Sequence, residues 1–110
     1  MAEKTGSLVQ GTLDMLILKT LALEPMHGYG IGVRIGQMSQ GVFSVNAGSL
    51  FVALQRLHRA GLIRAEWKAT ENTRRGKYYA LTAEGQKRLG TETREWGRQV
   101  AAIARILDAT

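Results

Sequence analysis

Apolar residues recur along the first quarter of the chain at Leu13, Leu16, Ile17 and Leu21, the spacing of one face of a helix. The stripe predicts a helix over residues 12–23, stopped by Pro25, because the residue before a proline avoids the helical region. Residues 1–7 carry no such stripe and read as a flexible N-terminal tail. Ile31, Ile35 and Met38 then fall at i, i+4 and i+7 and predict a second helix. Gly28, Gly32 and Gly36 lie four apart on one side of it. They weaken the helix, but they let another helix come close.

The stretch 46–62, "NAGSLFVALQRLHRAGL", predicts a third helix with Asn46 as its N-cap. Leu50, Leu54 and Leu57, joined by Ala47 and Phe51, form an inward side. Gly48, Ser49, Val52, Gln55, Arg56 and Arg59 form an outward side without an acid. After Gly61 the period changes. "LIRAEWKAT" and "KYYALT" are short and rich in β-formers, and "ENTRRG" between them is turn-like, so a β-hairpin with a basic tip is expected.

Thr82 can cap a last helix over 83–108, with Glu84 favourably placed near its N-terminus. Leu89, Thr93, Trp96, Val100, Ile103 and Leu107 are spaced by alternating steps of four and three residues, a heptad-like seam. Such a helix runs roughly 39 Å, longer than a small domain can cover. The seam is therefore expected to pack on a second copy, giving a homodimer through Leu89, Trp96, Val100, Ile103 and Leu107. The competing arrangement packs it on the first helix of its own chain. Gly85, Gly90 and Gly97 weaken this helix alone, which suits one stabilised by a partner.

Composition narrows the class. At 110 residues with 45% apolar content, the chain has room for one globular domain. The absence of cysteine excludes disulfides and thiolate metal sites and suits a reducing cytoplasm. The apolar run "LDMLILKTLAL" is broken by Asp14 and Lys19 and is too short to span a membrane. The first residues lack the apolar core of a signal peptide. A cytoplasmic protein is expected. The formal net charge is +6, from 15 Lys and Arg against 9 Asp and Glu. Residues 26–82 hold eight of the bases and two of the acids, while the flanks balance. All the excess charge therefore sits in one internal segment, as in a protein that meets a polyanion.

Three helices followed by a hairpin is the winged helix-turn-helix order, a mainly α (α+β) fold whose third helix enters the major groove. The outward side of the third helix then finds its counter-charges in phosphates and its hydrogen-bond partners in base edges. Arginine can grip guanine and Gln55 suits adenine. Asn46, Ser49 and Val52, near the helix start, are expected to sit deepest beside Gln55, Arg56 and Arg59. Lys68, Arg74, Arg75 and Lys77 of the wing are expected to hold phosphates, which fix position without reading sequence.

The motifs "GTLDMLILKTLALEPMHGYGI", "GSLFVALQRLHRAGLI" and "RRGKYYALTAEGQKRL", in that order, resemble the PadR family of bacterial transcriptional regulators over most of the chain. The short tail resembles the compact members, with a single C-terminal helix. The resemblance implies a homodimeric winged-helix repressor on inverted-repeat double-stranded DNA, with residues 8–82 as DNA-binding domain and 83–110 as dimerisation helix. It implies that Tyr29 touches phosphate and that Ser49 opens the recognition helix. It also implies that a small aromatic effector releases DNA in some members. The family usually has tyrosine then proline where this chain has Phe51 and Val52, so one phosphate hydrogen bond is expected to be missing.

Other chemistry finds little support. Trp96, mid-seam, either fills the dimer core or stacks an aromatic effector. His27 and His58 lie on different elements without a carboxylate or cysteine cluster, so no metal site is expected, and His27 is expected to shape the start of the second helix. "GYGIG" matches no phosphate-binding loop, and no nucleophile, base and orienter set is present. No cofactor and no catalysis are expected. The rival function is a winged-helix interaction module that binds protein, or nucleic acid without sequence preference, and it would expose a larger apolar patch on the third helix.

Overall fold

The computed structural model describes residues 2–69 and 75–110, and for 2–11, 69 and 75 the backbone alone. The elements run α1 (Ala2–Leu23), β1 (Met26–His27), α2 (Gly28–Met38), α3 (Ala47–Arg59), β2 (Ile63–Ala69), β3 (Arg75–Leu81) and α4 (Ala83–Leu107). Helix α1 starts at Ala2, ten residues before the expected position. Ala, Glu and Lys near its start are good helix formers, whereas Gly6 and Gly11 dilute the apolar stripe that would announce it.

Side chains from every helix meet in one core. Ile17 and Leu18 of α1, Ile31 of α2, Leu54 of α3 and Ile63 of β2 are its largest fully buried side chains. Some inward positions differ from expectation. Leu16 is only partly buried and Leu18 replaces it, Met38 is exposed, and Ala53 takes the place expected of Ala47 and Phe51. The glycine side of α2 meets the start of α3. A methyl at Gly28 would press on the Phe51 ring at 2.8 Å, and one at Gly32 would lie 3.3 Å from Leu50. These glycines therefore set the separation of the helix-turn-helix pair.

The sheet has the order β1-β3-β2 and is antiparallel throughout. Strand β1 is short and pairs Met26 with Tyr79 and His27 with Tyr78. The β2–β3 register pairs Ile63 with Leu81, Ala65 with Tyr79 and Trp67 with Lys77. Helix α3 ends in a Schellman turn. Gly61 has φ of 78°, and the Leu62 amide donates to the Leu57 carbonyl at 3.0 Å.

Thr82 then ties the two halves together. Its hydroxyl donates to the Gly61 carbonyl at 2.7 Å and accepts from the Gly85 amide at 3.0 Å, capping α4. Gly85 is required there, because a methyl would fall far inside contact distance of the Leu62 carbonyl oxygen. Its role is thus close packing within the chain, not the weakening of a lone helix. Helix α4 continues as an arm. The molecule measures 60 × 30 × 22 Å with a radius of gyration of 15.5 Å, against about 13 Å for a compact 100-residue domain.

Candidate nucleic-acid interface

Helix α3 is positioned from below by Leu50, Ala53, Leu54 and Leu57, all buried. With that side fixed, 3.6 residues per turn turn Ser49, Val52, Gln55 and Arg59 outward. All four are exposed. Asn46 is exposed too, and its side-chain oxygen accepts from the Ser49 amide at 3.1 Å. It therefore caps the helix, leaving the Ser49 hydroxyl at the first exposed turn.

Arg56 differs from expectation. It lies on the flank of α3 nearest α1, where its guanidinium donates to the Asp14 carboxylate at 2.5 Å. Arg56 is partly and Asp14 mostly covered by protein, the side chains being 43% and 26% exposed. The counter-charge missing from α3 itself comes, at this one position, from a residue 42 places earlier in the chain. Among the described residues Arg59 has no such ion pair.

His27 closes the other side of the motif. Its Nδ1 accepts from the Gly30 amide at 3.2 Å, capping α2, and its ring meets Tyr78 edge-on with centroids 5.6 Å apart. Tyr29, the second residue of α2, is 72% exposed and points away from the core. Tyr29, Val33 and Phe51 line a groove of about 540 Å³ between α2 and the start of α3. This face is less polar than the sequence suggests. The ring of Phe51 is not in the core but lies across Gly28, half exposed.

In the wing, strand alternation puts Lys68 and Lys77 on opposite faces. The Lys68 ammonium sits 5.4 Å from the Tyr78 ring centroid, and that of Lys77 sits 5.9 Å from the rings of Trp67 and Tyr79. Both cations thus lie along aromatic faces with their heads exposed. Burial raises the Tyr79 phenol above its ordinary pKa. Arg74 lies outside the described residues, and Arg75 begins β3.

Along α4 the expected seam divides. Leu89 is buried in the chain's own core, which corrects its assignment to a contact between copies. Trp96, Val100, Ile103 and Leu107 are exposed, with Ile106 beside them. Trp96 and Gln99 of α4, with Thr12 and Met15 of α1, line a groove of about 410 Å³ that Glu92 and Glu95 border. Among the described residues no group of acids, histidines or cysteines could hold a metal ion, and no helix is long and apolar enough to cross a membrane.

The model of the transcriptional regulator PadR-like family matches residues 17–91. Among solved structures, a PadR family transcriptional regulator from Eggerthella lenta is 27% identical, with a TM-score of 0.84 over 99% of this chain and 93% of that one. A transcriptional regulator from Clostridium thermocellum is 26% identical, with a TM-score of 0.82 over 90% of this chain and 93% of the other. A PadR-like regulator from Bacillus cereus shares the fold, at 24% identity and a TM-score of 0.81 over 94% and 99% of the two chains.

Proposed function

The chain belongs to the PadR-like family of transcriptional regulators, DNA-binding winged-helix proteins rather than enzymes, and on that premise we propose that it is a sequence-specific repressor that binds an inverted-repeat operator as a homodimer. The observation that carries this reading is the outward side of α3. Ser49, Val52, Gln55 and Arg59 are exposed together while the opposite side is locked into the core. Gln55 and Arg59 offer the groups that recognise adenine and guanine edges, and Val52 suits a thymine methyl. Tyr29 at the start of α2 and Lys68 and Lys77 on the wing would hold the backbone on either side. Arg75 and Arg74 would extend that grip toward the wing tip.

The exposed part of the α4 seam supports the dimer. Trp96, Val100, Ile103 and Leu107 form an apolar stripe that a second α4 or α1 would cover. Two-fold symmetry would then present the two α3 helices about 34 Å apart, one turn of DNA. The groove beside Trp96 would admit a flat aromatic effector between α1 and α4, with the indole as its stacking surface.

Selection of random duplexes on the protein at about 150 mM salt, followed by sequencing, tests the reading. An inverted repeat with half-sites one turn apart is expected. A second reading, docking of a protein on the apolar groove at Tyr29, Val33 and Phe51, gains ground if no shared motif is recovered.

A further inference from the structure

The Asp14–Arg56 pair joins α1 to the side of the recognition helix, and neither partner is needed to fill the core. Arg56 shares its flank of α3 with Ser49, seven residues and two turns earlier. It therefore stands at the rim of the proposed DNA-facing side rather than beneath it. Its stem is long enough to swing outward, and a phosphate at that rim would compete with the carboxylate for the same guanidinium. Among the described residues Asp14 is the one acid within ion-pair distance of it.

We propose that Asp14 is a positioning residue of the interface: by holding the Arg56 guanidinium against α1, it withholds one cation of the recognition helix from the DNA backbone. The inference rests on the DNA-binding reading above. Withholding that cation lowers the sequence-independent, salt-dependent share of binding and leaves base recognition to Gln55 and Arg59. The pair is partly exposed, and such pairs are weak, so a small change at Asp14 is enough to release Arg56.

The test is a salt titration of binding to a labelled duplex of random sequence, for wild type, D14N, R56Q, R59Q and the double variant D14N/R56Q. One released arginine adds about 0.9 to the log–log salt slope per subunit, and roughly a fivefold gain in affinity per subunit at ~150 mM salt. D14N is expected to show that steeper slope and gain. In the R56Q background, D14N is expected to add neither. R59Q is expected to flatten the slope more than R56Q does, since Arg56 is already engaged; this comparison holds even if D14N folds poorly. Unchanged or weaker binding by D14N with a wild-type slope overturns the proposal, as does equal flattening by R56Q and R59Q. Wild-type protein that binds no duplex at low salt overturns the DNA-binding reading instead.

Discussion

At the scale of residues, three short-range contacts decide how the helices start. Asn46, His27 and Thr82 each accept a hydrogen bond from an amide three residues on. Asn46→Ala is expected to cost about 1 kcal/mol, read as a lower urea midpoint with the slope unchanged. An unaltered midpoint would show that water caps α3 equally well. Gly85→Ala is expected to cost about 1–3 kcal/mol, because the added methyl drives α4 off the Leu62 carbonyl. Tyr79 has a phenol raised by burial, so its neutral form is favoured in the fold. That contribution is fully present below the unfolded pKa of about 10 and is lost as pH rises through the higher folded value. Stability above about pH 10 should therefore fall less steeply for Tyr79→Phe than for wild type; parallel curves would remove Tyr79 from the account. The caps at Asn46 and Thr82 were legible because they depend on neighbours within four residues. The Asp14–Arg56 contact was not, since nothing local to either residue points to the other.

At the scale of elements, periodicity carried the reading a long way. The glycines of α2, the leucines of α3 and the hairpin all declare themselves through spacing. Strand β1 does not, because two residues have no period, and its pairing with β3 is made across the fold. Phe51, expected inward with Ala47, lies outside the core, because the inward side of α3 is narrow and is filled by Leu50, Ala53, Leu54 and Leu57. Helix α4 shows the limit most clearly. One heptad pattern runs from Leu89 to Leu107, but Leu89 meets the chain's own core while Trp96, Val100, Ile103 and Leu107 are exposed to different degrees. Pattern gives a stripe and not the identity of what covers it. Val100→Glu is expected to split the proposed dimer by placing a charge within the stripe. Sedimentation should then fall from twice the 12.1 kDa chain mass to the mass of one chain. A wild-type mass equal to one chain would instead contradict the dimer.

At the scale of the whole molecule, the fold works as a platform with an arm. The helices α1–α3 and the sheet form the platform, and α4 packs beside α1 at Trp96 and runs on with Val100, Ile103 and Leu107 exposed, in a molecule 60 Å long. Family membership and the winged-helix architecture were legible from motif order, whereas the apolar groove beside Tyr29 was not, because it arises only when α2 and α3 pack. Affinity cleavage asks directly whether the outward side of α3 lies in the DNA groove. The chain has no cysteine, so single cysteines can carry an iron chelate that cleaves nearby DNA. Q55C, on α3, and R98C, on the side of α4 away from Trp96, are the two positions to compare on one bound duplex. Two patches of cleavage from Q55C, about one turn apart, with none from R98C, are what the account predicts. Cleavage from R98C and none from Q55C would contradict it.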